Sequence, residues 1–128
     1  MTRVKAPHDF LPLSPAVFHI LLALSGGERH GYAIMQEVAA DTNGVLRLGP
    51  GTLYGCLKRM LSARLVEASE ERPDPDADDE RRRYYRITEL GAHTLRAEAH
   101  RLADAVSAAR ARRLISPQRI ARRTGGAE

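Results

Sequence analysis

Apolar residues recur with helical periodicity along much of the chain, most clearly between residues 49 and 64. There they fall at i, i+4, i+7 and i+8 and make one apolar stripe: Leu53, Leu57, Met60 and Leu61. The rest of this predicted helix offers a hydroxyl, a bare backbone and two cations, with an aromatic ring at the edge: Thr52, Gly55, Lys58, Arg59 and Tyr54. Such a helix can lie in the major groove of DNA, although a solvated amphipathic helix has the same pattern.

Two shorter apolar segments precede this helix. Ser14-Pro15 is a helix start, because the hydroxyl can accept from free amides and proline suits the first helical position. We therefore predict a helix over residues 16–24, apolar around nearly its whole circumference and covered on more than one side. A second helix is predicted over residues 31–42, and a short strand over residues 45–48. Two helices in this order, the second basic on its free face, indicate a helix-turn-helix.

Alternating polar and apolar residues predict two strands, over residues 65–71 and 82–87. Residues 72–81 between them contain two prolines and five acids, so we expect a polar hairpin loop. A hairpin directly after a candidate recognition helix is the wing of a winged-helix domain. Alternation should place the middle one of three consecutive arginines on the opposite face from its neighbours: Arg81, Arg82 and Arg83.

A long helix is predicted over residues 88–113, capped by Thr88. A basic, disordered tail should follow it over residues 114–128. Residues 1–13 should form a flexible arm, which leaves residues 14–87 for the winged-helix domain. The long helix could lie back along its own core, but its apolar spacing of four and three favours a helix–helix seam between subunits. The expected dimer interface comprises Val17, Phe18, Leu21, Leu95, Ala99, Leu102 and Val106.

Composition narrows the class of protein. The formal net charge of +4 permits a polyanionic partner without proving one. The single cysteine, Cys56, excludes an internal disulfide, and the most apolar stretch is too short to span a bilayer, so we expect a cytoplasmic protein without a membrane segment. Among the five histidines, His93 and His100 lie about two helical turns apart, roughly 10 Å, too far for one metal ion. We therefore expect no enzyme activity, no metal and no cofactor.

Three short blocks in order resemble the PadR family of bacterial transcriptional regulators: His30-Gly31-Tyr32-Ala33-Ile34, Gly51-Thr52-Leu53-Tyr54 and residues 83–91. The resemblance covers about residues 13–113. The short C-terminal region, with its single helix, resembles that of the smaller PadR subgroup. The resemblance implies a mainly α fold with a small β-hairpin, a winged helix-turn-helix and a homodimer formed through the C-terminal helix. It also implies repression at a palindromic operator in double-stranded DNA, with release by a small-molecule effector in some members.

Position by position, the resemblance implies that Thr52, Tyr54 and Lys58 read DNA and that Tyr32 contacts phosphate. The wing arginines and Arg59 complete the predicted DNA-binding set. The acidic residues 74–80 depart from a basic wing tip, and the absence of tryptophan means that the chemistry of the drug-binding members does not transfer. Two alternatives remain: a winged-helix module that binds protein, and a metal-responsive regulator without an organic effector.

Overall fold

Four α-helices and three strands follow one another along the chain, and the computed structural model describes residues 5–74 and 77–116. The elements are a 3₁₀ helix (Pro7–Phe10), α1 (Pro15–Leu24), β1 (Arg29–His30), α2 (Gly31–Asp41), α3 (Pro50–Ser62), β2 (Val66–Asp74), β3 (Ala77–Ile87) and α4 (Glu89–Ala111). The strands form one antiparallel sheet in the order β1-β3-β2. The predicted fold class, mainly α with a small hairpin, is confirmed. The chain divides into two compact units, Met1–Glu98 and Ala99–Glu128.

Hydroxyl caps set the first residues of α1 and α4. Ser14 Oγ accepts a hydrogen bond from the amide of Val17 at 3.2 Å, and Pro15 occupies the first helical position. Thr88 Oγ1 accepts from the amide of Gly91 at 2.9 Å. Both caps agree with the sequence prediction, because a cap depends only on residues within one turn.

The hydrophobic core of the first unit is built by α1, α2 and α3 against one face of the sheet. Its members include Ile20, Leu24, Ile34, Val38, Leu53, Leu57, Met60, Val66 and Tyr85. Cys56 is also buried. This packing fixes which face of α3 is turned inward, and therefore which face remains available to a ligand.

Two residues that we expected at a dimer interface lie in the core of a single chain. Leu21 is 0% exposed and Leu95 is 9% exposed. Both side chains therefore pack mainly within one chain, and their expected contact with a partner subunit stays a prediction. The other expected interface residues keep accessible surface: Val17, Phe18, Ala99, Leu102 and Val106.

The hairpin is longer than the sequence predicted. β2 continues to Asp74 and β3 begins at Ala77, so most of the expected loop, residues 72–81, lies in strands. Arg72 and Arg82 pair directly across the ladder. The prediction was wrong because backbone pairing in a two-stranded ribbon does not require an apolar face, so polar side chains did not prevent these residues from forming strands.

The strand predicted over residues 45–48 is also wrong, since these residues form a turn and an irregular connection between α2 and α3. Gly44, with φ of 80°, reverses the chain, and the amide of Leu46 donates to Thr42 Oγ1 at 3.0 Å. The third strand is Arg29–His30, which pairs with β3 through Tyr85 and Tyr84.

The N-terminal segment differs from the arm that we expected. It contains the 3₁₀ helix, and Phe10 and Leu13 pack against the core. The amide of Leu13 donates at 3.0 Å to Oε2 of Glu98, a carboxylate that is 1% exposed on α4. Residues 1–4 and most of the expected tail, residues 117–128, lie outside the described residues.

Candidate nucleic-acid interface

α3 presents a polar face opposite the core. Its inward residues are Leu53, Cys56, Leu57 and Met60, and its exposed residues include four that the sequence singled out: Thr52, Tyr54, Lys58 and Arg59. Pro50 stands at the first helical position after Gly49, where its missing amide hydrogen leaves no bond unmade. The helix therefore offers a hydroxyl, a phenol and two cations to a ligand on the side that the core leaves open.

The exposed residues of α3 do not all serve one surface. Tyr54 and Arg59 are five residues apart, which places them about 140° apart around the helix. The Arg59 guanidinium turns back along α3, with Nη2 3.4 Å from Cys56 Sγ, and lines a cavity that Phe10 and Val17 also line. Arg59 thus lies towards the N-terminal segment, on the other flank from Tyr54.

Tyr54 connects α3 to the start of α2. Tyr54 is 47% exposed, and its ring covers Gly31, the buried first residue of α2. The next residue, Tyr32, is 51% exposed. The beginnings of the two helices therefore meet, and two half-exposed phenol rings lie on the surface where they meet.

The start of α2 is capped by an imidazole, which the sequence patterns did not reveal. Nδ1 of His30 accepts from the amide of Ala33 at 3.1 Å, and the His30 ring packs edge-on against Tyr84 at 5.4 Å between centroids. The first amides of a helix have no partner within the helix, and such a helix start favours an anion. The phosphate role implied for Tyr32 is compatible with this placement.

The three wing arginines alternate in exposure along β3. Arg81 and Arg83 are exposed, whereas Arg82 is half-buried with its guanidinium carbon 6.0 Å from the Tyr32 ring centroid. Arg81 Nη2 donates at 3.0 Å to the backbone oxygen of Glu71. The wing therefore meets α2 through Arg82, while Arg81 and Arg83 lie on the opposite face of the ribbon.

All four tyrosines of the chain lie around the start of α2 and the base of the wing: Tyr32, Tyr54, Tyr84 and Tyr85. Burial raises the pKa of the Tyr85 hydroxyl above its ordinary value of 10.0, and the nearby Tyr54 raises it further, while Arg83 opposes the rise. The Tyr85 hydroxyl is therefore neutral at physiological pH and acts as a core residue with a polar end.

Two further charged residues at the wing were not predicted. The Arg72 guanidinium carbon lies 3.9 Å from the Tyr84 ring centroid, and its Nη2 forms an ion pair with Oε2 of Glu28. Because Arg72 was expected in a loop, its partner could not be found from the sequence. Only the observed ladder register brings these side chains together.

Residues 5–74 and 77–116 contain no group of three His, Cys, Asp or Glu side chains that could hold a metal ion. Within the same ranges, no helix has both the length and the apolar character needed to cross a membrane.

The chain is similar to transcriptional regulators in sequence. The model of a family described as "Transcriptional regulator PadR-like family" matches residues 20–97. An uncharacterized 37.1 kDa protein in transposon TN4556 of Streptomyces fradiae is 39% identical over 84 residues, which cover 66% of this chain and 22% of that protein. The chain therefore spans less than a quarter of the length of this relative.

Solved structures show the same fold. A PadR family transcription regulator from Clostridium difficile matches with a TM-score of 0.63 at 23% identity, covering 76% of this chain and 96% of that chain. Bacillus subtilis PadR in complex with operator DNA matches with a TM-score of 0.57 at 19% identity, covering 67% of this chain and 47% of that chain. Because the family match covers more than half of the sequence, the chain belongs to the PadR-like family of transcriptional regulators.

Proposed function

We propose that the protein regulates transcription by binding an operator in double-stranded DNA with α3, the start of α2 and the wing. The observation that carries the proposal is the meeting of these three elements: Tyr54 covers Gly31, and Arg82 lies over Tyr32. A solvated amphipathic helix would need neither contact. Operator DNA in the related Bacillus subtilis structure supports the same kind of partner.

Each side chain of this surface has a role that follows from its chemistry. Thr52 and Tyr54 would lie against base edges, since a hydroxyl can donate and accept and a ring can pack on a thymine methyl group. Lys58 would contact phosphate as a point charge, and Tyr32 would do so beside the start of α2. Arg81 to Arg83 supply the charge of the wing. Arg59 is assigned a lesser part, because it turns towards the N-terminal segment.

We further propose a homodimer that represses a palindromic operator in the bacterial cytoplasm. Ala99, Leu102 and Val106 fall at spacings of three and four on α4, and each keeps accessible surface. Val17 and Phe18 on α1 are half-buried and remain proposed contacts of a partner. Two identical subunits would read two half-sites of opposite orientation.

Release of the operator by a small-molecule effector stays a prediction. A shallow, mostly apolar cavity of about 210 Å³ lies between the N-terminal segment, α1 and α3. Its lining includes Arg59 and Met60 of α3, so a compound bound there would touch the proposed recognition helix.

The direct test is binding of the purified protein to its own promoter region in a gel shift, with unrelated DNA as competitor. We expect a retarded complex that the unrelated DNA removes only at a large excess. Genome-wide mapping of binding sites would then give the operator and its symmetry. A folded protein that retards no DNA, and occupies no site in the genome, would contradict the proposal and favour a winged-helix module that binds protein.

A further inference from the structure

The wing holds two arginines directly opposite each other, Arg72 on β2 and Arg82 on β3. Like charges at directly opposed positions of an antiparallel ladder repel each other. The third strand, β1, pairs with β3 only at Tyr85 and Tyr84, so the ladder at these arginines has two strands. A two-stranded ribbon is marginally stable by itself, and other contacts must hold this one in a fixed direction.

Arg72 is held from the side of β1. Its guanidinium stacks on the Tyr84 ring at 3.9 Å, and its Nη2 forms an ion pair with Glu28, immediately before β1. Tyr84 in turn packs edge-on against His30, the residue that caps α2. This chain of contacts joins β2 to the start of α2 across the face of the sheet.

Arg82 is held from the side of α2. Its guanidinium carbon lies 6.0 Å from the Tyr32 ring centroid, within the range of a cation–π contact. The two opposed arginines therefore lie against different aromatic rings. The negative charge of Glu28 also offsets the positive charge of Arg72. Both contacts tie the ribbon to the segment from Glu28 to Tyr32, which also touches Tyr54 of α3 through Gly31.

We propose that Glu28 is a positioning residue for DNA binding: through Arg72 it fixes the direction of the wing relative to α2 and α3. The proposal rests on the proposed function, since it concerns how the wing meets DNA. Because a carboxylate is repelled by phosphate, Glu28 would not contact the DNA itself. It would affect DNA binding only through Arg72 and the ribbon.

Glu28→Gln tests the proposal against a matched control, Glu67→Gln. Glu67 lies on the same sheet and pairs with Arg86 at 2.8 Å, and both carboxylates are partly exposed. Each variant loses one negative charge, so long-range attraction to DNA alone predicts equal or tighter binding for both. We expect Glu28→Gln to weaken operator binding by about two- to fivefold, with Glu67→Gln unchanged or slightly tighter and the salt dependence of both unchanged.

A second background isolates the ion pair. In protein that already carries Arg72→Gln, the further change Glu28→Gln should not weaken binding, because the partner through which Glu28 acts is gone. An equal weakening in both backgrounds would overturn the proposal, as would identical affinities of the Glu28→Gln and Glu67→Gln variants.

Hydrogen exchange without DNA separates this proposal from the proposed function. Amides of residues 81–84 should exchange several-fold faster in Glu28→Gln than in Glu67→Gln, because the ribbon is no longer held against the start of α2. Equal exchange rates would overturn the positioning role whatever the affinity for DNA. Failure of the wild-type protein to bind any DNA would instead refute the proposed function, while faster exchange would still support the bracing of the wing.

Discussion

The ring of Tyr54 lies so close over Gly31 that a Cβ atom at position 31 would come within 2.7 Å of Tyr54 Cζ. The obstructing atoms are at the far end of a half-exposed side chain, which can swing into solvent. Gly31→Ala should therefore change the free energy of unfolding by less than about 1 kcal/mol, since the helical backbone accepts alanine. It should nevertheless weaken DNA binding several-fold by displacing the ring.

Denaturant unfolding and DNA titration of Gly31→Ala check this prediction together. As a control, Gly31→Ala should have no further effect on affinity in a Tyr54→Ala background, because the ring that it displaces is already absent. A large loss of stability would mean that Tyr54 cannot move, and an unchanged affinity would mean that its position does not matter to DNA.

Gly91 on α4 is close-packed against backbone rather than against a side chain. A Cβ there would overlap the carbonyl oxygen of Leu65 and approach Ile87 Cγ1 to 2.9 Å. Because a backbone oxygen cannot swing away, Gly91→Ala should lower the free energy of unfolding by about 2–4 kcal/mol. Gly51→Ala is the matched control, since nothing lies within 4 Å of its Cβ position, and it should be neutral or stabilising by about 0.5–1 kcal/mol.

Lys58→Ala should weaken binding to operator and to unrelated DNA alike, because a phosphate contact carries no sequence information. The slope of the logarithm of affinity against the logarithm of salt concentration should fall by about one for each phosphate that the variant no longer neutralises. Arg96→Ala, which removes an exposed cation from α4, is the control and should change the slope less. An unchanged slope in the Lys58 variant would mean that this face of α3 does not meet the phosphates.

Leu102→Glu should convert the proposed dimer to monomer, because a carboxylate in an apolar helix seam is costly to desolvate. Leu114 is exposed and lies beyond the end of α4, so Leu114→Glu should leave the dimer intact. Sedimentation velocity at micromolar concentration distinguishes the two. A stable monomer in the wild-type protein would refute the seam itself.

Alkaline pH should destabilise the wild-type protein more than Tyr85→Phe. Burial raises the folded-state pKa of Tyr85, so the unfolded hydroxyl ionises first as the pH rises through about 10. The stability associated with the neutral hydroxyl is complete below that pH and is lost as the pH climbs towards the folded pKa. Urea unfolding of both proteins at pH 8 and at about pH 10.5 should show the wild-type protein losing stability relative to the variant.

Local signals account for what the sequence predicted well. The apolar stripe of α3 arises from apolar residues that are three and four positions apart. The caps Ser14 and Thr88 likewise bind amides within one helical turn. Tertiary contacts account for what it missed. β1 has two residues and pairs with a strand more than fifty positions away, so no window of sequence around Arg29–His30 can reveal it.

The same limit applies to the charged residues. The burial of Glu98 depends on an amide 85 positions earlier in the chain. The stacking of Arg72 on Tyr84 depends on the ladder register, and its ion pair depends on Glu28, 44 positions earlier in the chain. Since both depend on distant parts of the chain, periodicity and composition could not identify them.

The residues that hold the wing are separate from most of those on the reading face of α3. Glu28, Arg72 and Tyr84 direct the ribbon, whereas Thr52 and Lys58 can change without touching any of them. A paralogue could therefore acquire a new target sequence by exchanging a few side chains on one helix while it kept the same docking pose on the double helix. Such a scaffold would allow a bacterial lineage to diversify its regulons by substitution alone, without redesign of the fold.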